Sequence, residues 1–357
     1  MRILIVTDAW PPQVNGVVRT LQTTGAKLRE AGHEVHYITP EGRKVWPLPR
    51  YPEIELALVG HRTVGREIDA LKPDAIHIAT EGPLGWAARK ACAKRGLPYT
   101  TSFHTRFAEY LDMRSPIPGT GEFIWGILRR FHKHARAVMV PTQTIADVLT
   151  EKGFTHVKTW TRGVNQVNFK PSRKRDYFAG LPRPVLAHAG RLTPEKNIEA
   201  FLKLDVPGTK VVIGEGPSRK HLQEKYPQVH FTGYLKEENL AAAMGSADCF
   251  IFPSTTDTFG LVMIEAMACG TPVAAFPVPS PVDVIEQGVT GVMDTDLAKA
   301  IEGALKLNRT QVRKAAEKFT WERVAGMFAG WLVQIPAQKY SASEALDAAP
   351  LPSTEHA

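Results

Sequence analysis

Short runs of β-branched and apolar residues alternate with helical windows along this chain, and the alternation runs through twice. Residues 2–7, 34–39, 75–79, 99–103 and 137–140 read as strands, and residues 185–189, 210–213, 230–232, 249–252 and 273–276 repeat the pattern. Strands that are apolar throughout, rather than apolar at every second residue, must be covered on both faces. Helices between them supply that cover, which predicts parallel sheets. Between the two series lies a stretch with Asn168, Pro171, a basic run at 173–175, Gly180 and Pro182, the composition of a linker. The expected fold class is therefore α/β, with two Rossmann-like doubly wound parallel-sheet domains facing a cleft. Residues 1–165 form the first domain, 166–183 the linker, 184–336 the second domain and 337–357 a disordered tail rich in Ala, Ser and Pro. Ligands of such sheets bind at the carboxyl ends of the strands, here the walls of the cleft.

At 357 residues the chain is long enough for two such cores, and its 43% apolar and 22% charged content is that of a globular protein. The longest uncharged stretch, residues 266–282, carries four prolines and cannot serve as a spanning helix. The apolar run 3–6 is too short for an export signal, so a cytoplasmic location is expected. Cys92, Cys249 and Cys269 are too widely spaced for a disulfide framework or a metal knuckle and read as core thiols. Charge is distributed unevenly. Residues 1–170 hold 24 Lys/Arg against 15 Asp/Glu, a net charge of +9, whereas the remainder is at −1. A positive field confined to one half predicts an anionic partner there: a membrane surface, an acidic substrate or a nucleic acid. Nucleic acid is the weakest of these, because the chain has no zinc knuckle, basic zipper helix or RNA-recognition strand motif.

Three segments carry candidate chemistry. After the first strand comes Pro11-Pro12-Gln13-Val14-Asn15-Gly16-Val17 and a helix. This is not the Gly-x-Gly-x-x-Gly of dinucleotide dehydrogenases. Gly16 suits a close approach of backbone to a phosphate at a helix N-terminus, although a turn glycine would read the same way. The second domain opens with Gly190-Arg191-Leu192-Thr193-Pro194-Glu195-Lys196, which puts two cations just past a strand end. Arg191 and Lys196 could clamp a diphosphate and neutralise charge that other transferases leave to a metal, or could simply be solvated. In the stretch from Pro253 to Val273, a strand ends, a loop carries Asp257, and a helix begins near Gly260. The amides of Phe259, Gly260 and Leu261 would favour an anion there. Glu265, inside an apolar run, needs a hydrogen-bonding partner, and ribose hydroxyls or a neighbouring loop could each supply it.

Taken in order, these segments resemble glycosyltransferase family 4, the retaining enzymes of the GT-B fold, over nearly the whole chain. The resemblance rests on the Pro-Pro-x-Val-Asn-Gly-Val segment, on Gly190-Arg191-Leu192 with Glu195-Lys196, on Gly214-Glu215-Gly216-Pro217, and on the carboxylates Asp257 and Glu265 eight positions apart. It implies that Arg191 and Lys196 hold the donor diphosphate, that Glu265 binds the nucleotide ribose, and that Asp257 binds donor-sugar hydroxyls. The family usually has Glu at this last position. His104, in Ser102-Phe103-His104-Thr105, matches the histidine that contacts the transferred sugar. The chemistry implied is retention on one sugar face, with the leaving diphosphate taking the acceptor proton, so that no flanking carboxylate pair is required. No cofactor and no metal are expected: Asp294 and Asp296 stand immediately before a helix and read as its cap.

The acceptor side is read from the basic half. On a helical wheel of residues 121–138, Phe123, Ile124, Ile127, Leu128, Phe131 and Ala135 fall together, and Trp125, Arg129, His132, Lys133 and Arg136 gather opposite. Trp46, in a loop with Arg43, Lys44 and Arg50, repeats the pairing of an aromatic with cations. A solvated face would show the same stripe. With the resemblance, which is nearest to lipid glycosyltransferases such as sulfoquinovosyl-, glucuronosyl- or glucosyl-diacylglycerol synthases, the stripe predicts docking to the inner face of a membrane with an anionic surface. The expected activity is transfer of a glucose- or glucuronate-class sugar from a UDP-sugar to a lipid hydroxyl of diacylglycerol or ceramide. The alternatives are GDP-mannose-dependent transfer to lipid or polysaccharide, and a silent protein that only binds sugar nucleotides or glycans.

Overall fold

The computed structural model describes residues 1–13, 15–48, 51–106, 119–171 and 176–340. In the first half, β1 (Arg2–Val6), α1 (Gly16–Glu30), β2 (Glu34–Ile38), β3 (Val45–Leu48), β4 (Tyr51–Ala57), α2 (His61–Leu71) and β5 (Ala75–Ile78) follow one another. They lead into α3 (Pro83–Arg95), β6 (Thr100–Ser102), α4 (Thr120–His132), β7 (Val138–Val140), α5 (Gln143–Glu151) and β8 (Val157–Thr159). Six of these strands form a parallel sheet in the order β2-β1-β5-β6-β7-β8. Every residue of β5, β6 and β7 is buried, which accounts for their apolar or small-polar sequences; the exception, His77 of β5, is satisfied by Thr100 and Ser102.

The second sheet has the order β11-β10-β9-β12-β13-β14, from β9 (Val185–Ala189), β10 (Thr209–Ile213), β11 (His230–Gly233), β12 (Cys249–Phe252), β13 (Val273–Ala275) and β14 (Gly291–Met293). Its helices are α6 (Ile198–Leu202), α7 (Arg219–Lys225), α8 (Glu237–Ser246), α9 (Leu261–Ala268), α10 (Pro281–Val284), α11 (Leu297–Ala304) and α12 (Arg309–Ala316). The strand order reverses direction between β9 and β12, and in the first sheet between β1 and β5. Crevices for ligands open at such reversals. Asp296 caps α11 by accepting from the Ala298 amide, and Asp294 accepts from the Asp296 amide.

Three expectations need correction. The loop around Trp46 is an antiparallel hairpin of β3 and β4, pairing Val45 with Ala57 and Trp46 with Leu56; Pro49 and Arg50 lie outside the described residues. The linker does not stand apart, because Phe169 and Phe178 are buried in the second domain's core. The chain also leaves the second domain before residue 336. A last helix, α13 (Trp321–Trp331), crosses back to pack beside α1, where Trp321, Val324 and Phe328 join Ile3, Ile5, Leu21 and Trp160 in one core. Residues beyond it remain on the first domain: Ile335 donates its amide to Asp74, and Tyr340, expected in a disordered tail, is buried with its hydroxyl on the Pro73 carbonyl. The expected tail at 341–357 lies outside the described residues. Among the described residues no helix is long and apolar enough to cross a membrane.

Candidate active site

The site is built from loops at the two reversals. Following β9, the backbone at Gly190 to Leu192 is pressed against the Gly214-Glu215-Gly216 loop. A Cβ at Gly214 would lie 1.9 Å from the Gly190 carbonyl oxygen, and the Leu192 amide donates to Glu215 O at 2.8 Å. The glycines therefore hold the strand that presents Arg191. A 3₁₀ turn, Pro194–Lys196, then carries Lys196 to Asp257, Nζ to Oδ1 2.6 Å. Burial pushes the Asp257 carboxyl upward, but the Lys196 ammonium outweighs it and holds the group below its usual range. Among the described residues the other carboxylate oxygen, Oδ2, is buried without a close hydrogen-bond partner, although the nearby Ser254 hydroxyl helps to hold the carboxyl down. His188 Nε2 and Thr193 Oγ1 are likewise buried without partners there, on neighbouring turns of the same region. Burial lowers the His188 pKa to about 4, and its Nδ1 is spent on the Ile251 carbonyl. A cation paired with a carboxylate that keeps one oxygen free can bind a polyhydroxylic, anionic ligand by exchanging partners.

Helix α9 starts at Gly260, whose φ of 74° and closeness to Phe252 (2.7 Å from a would-be Cβ) admit no other residue without strain. No side chain caps this helix, so its first amides and dipole face the crevice. Phe259 is itself a core residue; only its backbone belongs to the turn. At the other wall, Gly16 opens α1, and a Cβ there would stand 3.3 Å from Leu261 Cδ1. Two helix N-termini from opposite domains thus converge. They are not equivalent, because Asn15 Oδ1 already accepts from the Val17 and Val18 amides, both at 3.0 Å.

Glu265, one turn into α9, is 2% exposed, and burial pushes its carboxyl above the usual range despite its partner. That partner is Arg19 from α1 of the facing domain, which also reaches Glu237 at 3.3 Å. Neither Arg19 nor Glu237 was read from the sequence, since their pairing spans more than two hundred residues. His104 follows β6. Its carbonyl accepts from Thr258 Oγ1 at 2.8 Å, so it touches the Asp257 loop across the cleft. Its Nε2 meets Ser102 Oγ at 2.8 Å, and its Nδ1 meets Arg162 at 3.1 Å. The structure thereby brings His104, Asp257, Lys196, Glu265, Gly16, Gly260 and Leu261 around one crevice.

The expected membrane stripe is only partly placed at the surface. Trp125 is buried at 4% exposure and stacks on Phe103; His132 is buried too, bonded to Thr101 Oγ1 at 2.8 Å and to Glu81. Arg129 is half-buried against the Lys152 carbonyl. The exposed face of α4 carries Phe123 (70% exposed), Ile127 and Arg130 instead, continuing to Lys133 and Arg136. Trp46 is exposed on β3. The wheel's division holds in part: Leu128, Phe131 and Ala135 are buried and Lys133 and Arg136 exposed as expected, whereas Trp125 and His132 are buried and Phe123 and Ile127 exposed.

Two parallel doubly wound sheets facing a crevice with this arrangement define a GT-B glycosyltransferase. The comparisons agree. The description Glycosyltransferase Family 4 matches residues 14–166, and Glycosyl transferases group 1 matches residues 183–307. The chain belongs to glycosyltransferase family 4. It is 29% identical to a GDP-mannose-dependent alpha-mannosyltransferase of Mycobacterium tuberculosis over 82% of this chain and 83% of the relative. It is 30% identical to the sulfoquinovosyl transferase SQD2 of Arabidopsis thaliana, over 82% of this chain and 63% of that one. An alpha-monoglucosyldiacylglycerol synthase of Streptococcus pneumoniae is 27% identical over 85% and 78% of the two chains. Among solved structures, a sucrose-phosphate synthase from Thermosynechococcus elongatus superimposes with a TM-score of 0.76 at 20% identity, covering 96% and 99% of the two chains.

Proposed function

We propose that the protein transfers a sugar of the glucose or glucuronate class from a UDP-sugar to a membrane-lipid hydroxyl, diacylglycerol or ceramide, with retention and without a metal. The observation that carries this reading is the uncapped N-terminus of α9 flanked by the Lys196–Asp257 pair and the buried Glu265 at the reversal of the second sheet. A diphosphate fits the amides and the cations, ribose hydroxyls fit Glu265, and sugar hydroxyls fit the free Oδ2 of Asp257. Arg191 and Lys196 stabilise charge on the leaving diphosphate, which takes the acceptor's proton on the same face of the sugar. The monoglucosyldiacylglycerol named as the product of one relative supports a lipid acceptor. A GDP-mannose donor is the second reading, favoured by the mycobacterial relative. A panel of UDP- and GDP-sugars against diacylglycerol and ceramide vesicles, with mass analysis of the products, separates the two. Nucleotide release from no donor at all would leave only a silent binding protein.

The division of labour between the carboxylates is testable. Glu265→Gln is expected to weaken free UDP by about 10- to 100-fold, the loss of a charge-assisted hydrogen bond. Asp257→Asn leaves free UDP within about twofold and weakens the UDP-sugar. Calorimetry with both ligands decides it; equal weakening of both by Asp257→Asn removes Asp257 from the sugar.

Docking to the membrane is assigned to the face of α4 that the structure exposes. Changing Arg130, Lys133 and Arg136 together to Ser is expected to remove about 3 kcal/mol of binding to anionic vesicles, about a hundredfold in affinity, while UDP binding is retained. Phe123→Ser weakens binding to anionic and neutral vesicles alike, since its contribution is apolar burial. Sedimentation in which the triple variant behaves as wild type would make this a solvated helix face.

A further inference from the structure

Arg162, on the loop after β8, is a buried cation that meets no carboxylate among the described residues. It is 4% exposed, and no ion pair involving it occurs among the described residues. Its guanidinium lies over the Trp160 ring at 4.5 Å, donates through Nη1 to the Trp160 and Thr161 carbonyls, and donates through Nη2 to His104 Nδ1 at 3.1 Å. Burial lowers its pKa to about 9. Holding a charge there is costly, and a polar side chain of similar reach could satisfy two carbonyls at less cost. What arginine adds is a rigid fork that only donates.

That property fixes the state of His104. A guanidinium N–H facing Nδ1 requires a lone pair on that nitrogen, so the ring proton resides on Nε2 and is donated to Ser102 Oγ at 2.8 Å. Ser102 in turn donates to the Ala79 carbonyl at 3.1 Å. The result is a directed series from Arg162 through His104 and Ser102 to the floor of the first domain. The same His104 accepts from Thr258 through its carbonyl, beside Asp257 of the second domain.

We propose that Arg162 is a positioning residue of the transfer reaction: it locks His104 as the neutral Nε2–H tautomer and so fixes a contact point between the first domain and the Asp257 loop. The proposal rests on the reading of His104 as a residue at the transferred sugar. It deepens that reading, because a ring with both nitrogens engaged cannot serve as the base for the acceptor hydroxyl. The acceptor proton then goes to the leaving diphosphate. Protonation of His104 would set an N–H against the guanidinium and break the series. Burial and then the Arg162 charge keep the His104 pKa well below its ordinary value. Among the described residues, the other titratable groups that act on the ring are His77 on β5 and His132 on α4, whose Nε2 meets Glu81.

The test uses the full chain labelled with ¹⁵N-histidine, with the His104 signal assigned by its loss in His104→Gln. Wild type is expected to show the pure Nε2–H tautomer from pH 8 to about 5.5. Arg162→Met is expected to show mixed tautomers and a titration midpoint shifted upward, and Arg162→Lys, which keeps a charged donor, to restore the tautomer in part. An Nδ1–H tautomer in wild type, or an unchanged signal in Arg162→Met, overturns the proposal; should Arg162→Met fail to fold, Arg162→Leu, likewise without a donor, takes its place, and the wild-type tautomer decides in either case. In turnover with the donor that the panel identifies, Arg162→Met is expected to lower kcat about tenfold or more with donor KM within about twofold, and to add nothing in the His104→Gln background. Full activity of His104→Gln would refute the sugar-site reading alone, because the tautomer is read without substrate.

Discussion

Arg191→Ala and Lys196→Ala are each expected to lower turnover by roughly 10²- to 10³-fold, the effect of removing one preorganised charge from a leaving group. The two losses are not expected to multiply, since both cations are assigned to one diphosphate on the proposed reading. Lys196 has the more complex role. Its ammonium is paired with Asp257 at 2.6 Å, so on the proposed reading it shares itself between that carboxylate and the donor phosphate. Lys196→Ala therefore also leaves Asp257 buried without its cation, and the carboxyl should titrate higher, toward the value that burial alone would impose. Its activity is accordingly expected to fall off in acid at a higher pH than that of Arg191→Ala. Initial rates of nucleotide release across pH 5–8 check both statements. The same assay with excess EDTA is expected to retain full wild-type activity; inactivation by EDTA with rescue by Mn²⁺ would mean that a metal carries the charge assigned here to the two side chains.

The sheets were legible because their central strands are buried on both faces and so are written mostly in apolar or small residues, as in Cys249–Phe252 and Val273–Ala275. The hairpin of β3 and β4 lacked that signature: it contains Pro47, and Trp46 is 62% exposed. Site residues were legible where a strand end and a helix start bracket them, as with Asp257, Gly260 and Glu265. Arg19 and Arg162 were not, because what makes them part of the site is a partner 246 or 58 residues away that no local pattern announces. His132 shows the same limit in reverse. Its polar ring suggested the water side of α4, but Thr101 and Glu81 satisfy it inside the protein.

The return of the chain to the first domain yields the largest stability effect expected here. Phe328 of α13 is fully buried, 4.9 Å from the Trp160 ring and 4.8 Å from that of His77, within a core whose other wall is Ile3, Ile5 and Leu21. Phe328→Ala is expected to cost about 3–5 kcal/mol, the usual loss for a buried aromatic that leaves a cavity. The cost falls on the first domain although the residue follows the second in sequence. All seven tryptophans, at positions 10, 46, 86, 125, 160, 321 and 331, belong to the first domain or to the helix that returns to it, so tryptophan fluorescence reports on that body. In urea the fluorescence midpoint of Phe328→Ala is expected to fall by about 1 M or more. Binding of UDP, assigned to the second domain, is expected to persist at urea concentrations where that fluorescence is already lost. An unmoved fluorescence midpoint would mean that α13 is a surface strap. A drop confined to UDP binding would place its stabilising contacts in the second domain. The expected result has a physical consequence for the isolated halves: a fragment ending at residue 165 would expose the apolar face formed by Ile3, Ile5 and Trp160, and only a chain that includes α13 covers it.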